Sequence, residues 1–422
     1  MNVNQSNLSF FKYNKSRRII CCFIYTVICL ILIFITKNIQ INDAKTYNAL
    51  AKEIVLLDEF YPHKSNIQDF YIRPSLYINF VGLVYRIFGI KEIIIKVINV
   101  LFSLIQFICI EYIVYALQGR NTKKLWLSIL LFPTLYFINL LILTEPLFLT
   151  LLMISWAIYI KIIVNNEDKP VYFIVSGIFI AIAILTRPVA LLIPAFTTVG
   201  FIIKKRRKIN ISLYLSTMIL LIWAYGFSHM NKIGRIDFYG TTAGFNLFRE
   251  YNPYGTGRRS QNAIDYVLSF DTSNLNAFER NQFYIEKAQG WIKNNFGKAV
   301  VVTFKKAVYM FIYDGIFIER ALNKKNEIDI VNIYTLISKF KKGYVSWIIV
   351  MNQIIYTFII IQICRGIINL YNAKEYEKLF MLMSIPVLLF IVSLSASGNN
   401  RFHYVILMTS YPLLNWSWRT NK

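Results

Sequence analysis

Acidic residues are scarce in this chain of 422 residues: 22 Asp and Glu stand against 46 Lys and Arg. Charge of either sign is thin as well, at 16%, where a soluble domain carries about 25%. A chain with so little charge has too little polar surface to cover a water-soluble globule, and the same figures exclude disorder, collagen and coiled coil. Three histidines are too few for a credible Ser-His-Asp constellation. The five cysteines, Cys21, Cys22, Cys29, Cys109 and Cys364, sit in apolar runs and form no Cys-x-x-Cys pair. Neither a disulfide framework nor a zinc site is suggested. No Walker loop, no Gly-x-Gly-x-x-Gly after a strand and no His-Glu-x-x-His occurs, which removes the usual nucleotide and metalloprotease signatures.

Hydrophobic residues are abundant instead, at 56%, and the mean hydropathy is +0.48. They come in long blocks rather than in alternation, which excludes a transmembrane β-barrel. The expectation is an all-α polytopic integral membrane protein. The formal charge of +24 then marks cytoplasmic loops and contact with anionic lipid rather than nucleic acid, which is not an expected partner.

A spanning helix needs about 20 apolar residues. The first run, Ile19 to Ile35, follows Lys12, Lys15, Arg17 and Arg18 and reads as an uncleaved helix entering from the cytoplasm. Residues 36–73 are polar and are placed outside. Pro74 to Ile90 is short and holds Arg86, so it reads as an interfacial helix. Spans follow at Ile93–Leu117, Leu125–Leu143, Pro146–Val164, Val171–Leu185, Val189–Ile203 and Ile211–Phe227. Under the positive-inside rule, this register puts Lys204-Lys205-Arg206-Arg207-Lys208 in the cytoplasm. The polar stretch His229 to Lys298 falls outside. Ala299–Ile318 carries Lys305, Lys306 and Asp314, each costing about 2.5–3.5 kcal/mol at a helix centre, and reads as interfacial. Tyr344–Cys364, Leu379–Leu394 and Phe402–Trp418 complete about ten spans. Three parts result: 1–228, a transmembrane module with the outer loop 36–92; 229–343, an extracytoplasmic region; and 344–422, the last helices. No fixed-period repeat or clear inverted symmetry is visible, which weakens a transporter reading.

Polar groups at membrane boundaries are functional candidates because they cost free energy unless paired, and several fall on the outer side of this topology. Asp43, Tyr47 and Ala51 are spaced i, i+4, i+8, one face of a helix. Arg73 precedes Pro74 at a helix start, where the dipole disfavours a cation unless an anion is near; a guanidinium there suits a lipid phosphate. Glu145 lies between Thr144 and Pro146, where an acid caps a helix. Arg187 stands between two spans, and Arg401 and His403 stand at another helix start. Asp58, Glu59 and Asp69 are further outer acids. Carboxylates able to take a proton, with arginines able to stabilise a departing phosphate, suit group transfer from a lipid phosphate.

In their order these features resemble the bacterial polyprenyl-phosphate-sugar glycosyltransferases of the GT-C superfamily, including the lipid A aminoarabinose transferases and the protein O-mannosyltransferase-like enzymes. The resemblance rests on Asp43 with Tyr47, Arg73-Pro74-Ser75-Leu76-Tyr77, Phe88-Gly89, Glu145–Phe148 and Leu185-Thr186-Arg187-Pro188. Further along it rests on Ala243-Gly244-Phe245-Asn246-Leu247, Asn252-Pro253, Thr256-Gly257 and Arg401-Phe402-His403-Tyr404. It implies a GT-C-like helix bundle with extracytoplasmic interfacial helices and loops, in the cell membrane. The implied reaction is inverting transfer of a sugar from a polyprenyl phosphate to an acceptor outside the cytoplasm. Asp43 is then the catalytic carboxylate and Glu145 a second acid. Tyr47, Arg73, Arg187, Arg401, His403 and one of Tyr251 or Tyr254 are the substrate-binding residues. No metal ligand is assigned, and dependence on a divalent metal stays open. The chain departs from the family in its Glu at 145, where some relatives carry Asp, and in having a modest outer loop. The reading from a different class is a transporter or lipid flippase, which would carry its charges near the bilayer midplane.

Overall fold

The computed structural model describes residues 15–36, 40, 42–119, 122–322, 344–395 and 402–417. Every regular element among them is helical. The first part of the bundle consists of α1 (Lys15–Ile35), α2 (Asp43–Leu56), α3 (Ser75–Phe88), α4 (Glu92–Gln118), α5 (Lys123–Leu131), α6 (Thr144–Val164), α7 (Pro170–Thr186), α8 (Ile193–Ile203) and α9 (Lys208–Ser228). A cap follows: α10 (Thr242–Glu250), α11 (Gln261–Leu268), α12 (Ala277–Asn294) and α13 (Phe296–Ile312), after which α14 (Ile316–Leu322) packs back into the bundle. The chain closes with α15 (Tyr344–Asn372), α16 (Tyr376–Ser395) and α17 (Phe402–Ser410).

Six of these helices, α1, α4, α6, α9, α15 and α16, are long and apolar enough to cross a membrane. Large apolar side chains stay exposed on their outer faces, among them Phe23, Phe34, Leu220, Trp347 and Phe358. A surface so apolar is stable against lipid rather than water. The chain is an α-helical membrane protein. Helix α6 is central: 72% of its most apolar stretch is buried, against 17% in α9, and α6 packs between α4 and α7.

Of the ten spans expected, four are not long helices. Leu125–Leu143 breaks at Pro133 into α5, one α-turn and a 3-10 turn. Phe402–Trp418 passes from α17 into a 3-10 segment, Tyr411–Trp416, that contains Pro412. Proline lacks an N–H and restricts its predecessor, so both runs lose their ladder there. Val171–Leu185 becomes the 17-residue α7, and Val189–Ile203 begins as a 3-10 turn before α8. The segment expected as one interfacial helix at Ala299–Ile318 is two, α13 and α14, parted at residues 313–315.

That break has a physical use. Asp314 is fully buried there, and its Oδ1 is hydrogen-bonded to Nε2 of His403. Its Oδ2 accepts from Thr134 and, at 2.9 Å, from Asn352 Nδ2. Four segments thus share one carboxylate. At the other end of the bundle Arg18 donates to Glu111 at 2.6 Å, and Thr122 donates to the second oxygen of the same carboxylate at 2.7 Å. That end also carries the Lys204–Glu377 and Arg207–Asp168 pairs.

The cap has its own small core of Phe248, Val267, Tyr284 and Ala288. Helix α12 starts with a capping box, Asn276 accepting from Phe278 and Glu279 while Glu279 accepts from Asn276. Arg280 then staples the cap to the loop before α3, donating to the carbonyls of Asp69, Thr272 and Leu275.

Removing one member of a buried ionic network leaves the rest uncompensated. Asp314→Ala is expected to lower unfolding free energy by about 3–5 kcal/mol, read by reversible denaturation in detergent. Glu377→Gln, at a largely exposed pair, is expected to stay near wild type.

Candidate functional site

Helices α6 and α17 begin, and α7 and α16 end, at the same end of the bundle as the start of α2. Between them and the cap lies a cavity of about 780 Å³, whose lining includes Asp43, Tyr47, Tyr71, Arg73, Thr144, Thr186, Arg187, Arg249, Glu250, Arg259, Arg320 and Phe402.

Asp43 opens α2, and its Oδ1 lies 3.1 Å from Nη1 of Arg73. Arg73 is held on three sides. Its guanidinium lies over the rings of Tyr47 and Tyr71 at 5.3 and 5.2 Å from their centres. Nη2 donates to the Tyr71 hydroxyl at 3.1 Å, and the backbone N–H donates to the Tyr61 hydroxyl at 3.0 Å. Such stacking places a guanidinium while keeping its charge available. The backbone just before Arg73 is fixed by Thr241, which donates its N–H to the Ile72 carbonyl and accepts the Ile72 N–H on its hydroxyl, both at 2.7 Å. Gly240 makes this approach feasible. Its φ is +70°, and a Cβ there would stand 2.3 Å from the Ile72 carbonyl oxygen.

Arg187 follows α7 and meets Glu145 with Nη1–Oε1 at 2.9 Å. Its guanidinium lies 4.9 Å from the Phe402 ring centre. Glu145 is completely buried and is not among the cavity's lining residues. Its contact with the cavity is through Arg187, which lines it.

The expected residues therefore divide. Asp43, Tyr47, Arg73 and Arg187 line one cavity, and Asp43 and Glu145 lie at the same end of the bundle. His403 does not line it; it is fully buried against Asp314, with Tyr356 beside its ring. Tyr251 turns its hydroxyl to Thr303 at 2.7 Å, and Tyr254 is 52% exposed with its ring on Tyr266. Neither tyrosine lines the cavity. Arg401 lies outside the described residues. Of the other outer acids, Asp58 pairs with Arg86, Glu59 with Lys232 and Asp69 with Asn66.

Arg249, Glu250, Arg259 and Arg320 line the cavity and were not anticipated. Arg249 donates to Oε1 of Glu250 through Nε at 3.2 Å and Nη2 at 3.0 Å, and Glu250 is 1% exposed. Their signal in the sequence is faint, an Arg-Glu pair on a short amphipathic helix and a second arginine beside a glycine turn. No group of three or more His, Cys, Asp or Glu able to hold a metal occurs among the described residues. No family model matches the chain, and no curated protein or solved structure matches it.

Beside Glu250, on α13, Lys306 is wholly buried, donates to the Leu394 carbonyl at 3.0 Å and lies over the Tyr251 ring. Burial pushes its ammonium from 10.5 down to about 8, partly opposed by the charge of Glu250. Below pH 8 both folded and unfolded chains hold this proton and the burial penalty is constant. Between pH 8 and 10.5 the folded chain releases it first, so stability from this group rises with pH. The stability of wild type relative to Lys306→Met is expected to increase from pH 8 to pH 10, measured by thermal unfolding in detergent; equal pH profiles would refute it.

Proposed function

We propose that the chain is a membrane glycosyltransferase that moves a sugar from a polyprenyl-phosphate donor to an acceptor outside the cytoplasm, with inversion at the anomeric carbon. The observation that carries this reading is the meeting of a partly exposed carboxylate, Asp43, with two ring-stacked guanidiniums, Arg73 and Arg187, in one cavity at a membrane-facing end of the bundle.

A second feature supports a lipid-linked donor. One turn along the same helices the lining becomes apolar. An adjoining groove of about 460 Å³ is lined by Leu76, Phe80 and Leu83 of α3, Leu147 of α6 and Ile182 of α7, with Asn79, Tyr225, Ser228, His229 and Lys232 also in its wall. Helices α3, α6 and α7 therefore lead from charged groups to a hydrocarbon surface within a few residues, as an amphiphile with a charged head requires.

In this reaction the acceptor hydroxyl oxygen attacks the anomeric carbon from the face opposite the phosphate. The carbon–oxygen bond to the lipid phosphate breaks, and the electron pair leaves on that phosphate. The hydroxyl proton passes to Asp43. Arg73 and Arg187 offset the charge that grows on the leaving group, preorganised by their aromatic neighbours and, for Arg187, by Glu145. The cap covers the site and limits entry of water, a competing nucleophile. The positive-inside rule, applied to the basic clusters at the opposite end, supports a cytoplasmic position for that end and an outer position for the cavity.

Purified protein is to be incubated with a series of radiolabelled polyprenyl-phosphate sugars and a detergent extract of the host envelope. Label is expected to move to an extract component, and Asp43→Asn is expected to reduce the rate by about 10²–10⁴-fold. Arg73→Ala is expected to raise the donor KM with little loss of thermal stability. No transfer by wild type from any donor, or wild-type transfer by Asp43→Asn, would reject the assignment.

A further inference from the structure

Among the described residues, Glu250 is the one acid of the cavity lining that the transfer scheme above leaves without a task. It lines the cavity, it is 1% exposed, and its two oxygens are treated differently. Oε1 takes both bonds from Arg249. Oε2 is buried with no hydrogen-bond partner among the described residues. The Lys306 ammonium nearby offsets part of its charge, but no hydrogen bond reaches this oxygen, and a buried acceptor left without one is expensive; in a cavity wall a ligand can supply the donor.

The carboxylate is also held rigidly. Asn252, 1% exposed, donates its side-chain amide to the carbonyls of Phe248 and Arg249 at 2.9 and 3.1 Å, closing the end of α10. The Gly255 N–H returns to the Asn252 carbonyl at 3.0 Å. Gly255 packs so closely that a Cβ would stand 2.1 Å from the Glu250 carbonyl oxygen. The Asn252-Pro253-Tyr254-Gly255 turn thereby fixes the residue that precedes it. A group pinned to one geometry while one of its oxygens lacks a partner suits recognition.

Charge decides what Glu250 can meet. Oε2 can only accept, so a sugar hydroxyl can donate to it and an ionised phosphate oxygen cannot. Position decides which sugar. Glu250 belongs to the cap, across the cavity from the α2, α3 and α7 ends that carry Asp43, Arg73 and Arg187. A hydroxylated acceptor approaching from beyond the membrane meets the cap wall first.

We propose that Glu250 is an acceptor-binding residue, accepting on Oε2 a hydrogen bond from a hydroxyl of a carbohydrate acceptor and so orienting that acceptor toward Asp43. The role toward an acceptor rests on the glycosyltransferase reading; the affinity of this carboxylate for a polyol does not.

Two measurements separate the claims. With radiolabelled polyprenyl-phosphate sugar as donor and envelope extract as acceptor, Glu250→Gln is expected to raise the apparent KM for the extract about 10- to 100-fold. The donor KM is expected to stay within about twofold, and Glu250→Asp to recover part of the loss. An unchanged extract KM, or an equal rise in both constants, overturns the proposal. Independently of any transfer, thermal unfolding of the detergent-purified full chain is followed with a panel of methyl glycosides. Wild type is expected to be stabilised by at least one of them, and Glu250→Gln, matched for stability in their absence, is expected to lose that shift. A shift in both proteins, or in neither, overturns it whether or not the chain transfers sugar.

Discussion

A charge taken out of water into a helical bundle costs several kcal/mol unless a partner meets it with good geometry, and this requirement organises the molecule. Arg18 and Glu111 are 93 residues apart, and His403 and Asp314 are 89 apart. Apolar faces alone let helices slide or rotate against one another at small cost, because leucine and isoleucine contacts are nearly interchangeable. Ionic contacts are not. Each pair permits one rotation and one depth for the helices that carry it, so scarce acids spread along the chain set the register of an otherwise greasy bundle.

The same requirement shapes the cavity. Its floor comes from helix ends of the bundle and its roof from a cap with a separate aromatic core. The two parts are joined by backbone and guanidinium contacts at Ile72–Thr241 and at Arg280. Arg73 stands at this seam, stacked on Tyr47 from the bundle and on Tyr71 from the connecting loop. Charged groups are thereby gathered where the low-dielectric body meets the cap, the region in which electrostatic contacts are strong and a ligand can still enter.

How much of this was legible in the sequence depended on whether a residue's setting is local. Asp43, Arg73 and Arg187 could be picked out because each sits at a helix boundary, where prolines and the apolar runs announce the boundary itself. The short helix α3 was readable from the length of its apolar run. The count of crossings was not, since Pro133 and Pro412 split apolar runs whose composition looks continuous. His403 was expected to face substrate from a helix start, and its burial depends on Asp314 from a remote kink. Glu250 was invisible for the same reason: on a short amphipathic helix an Arg-Glu pair reads as solvated, and only the fold of the cap encloses it. Long-range packing, which one sequence does not display, accounts for both.

The Asp314 cluster has a consequence for biogenesis. Its members sit at positions 134, 314, 352 and 403, so the ribosome delivers them in that order over most of the chain. Until His403 emerges, the carboxylate lacks one of its ligands and the early helices wait in the bilayer with an incomplete joint. Closure of this joint therefore waits for the last helix. A nascent chain stalled before that point would present quality-control proteases with a charged, half-closed bundle, and a finished one would not.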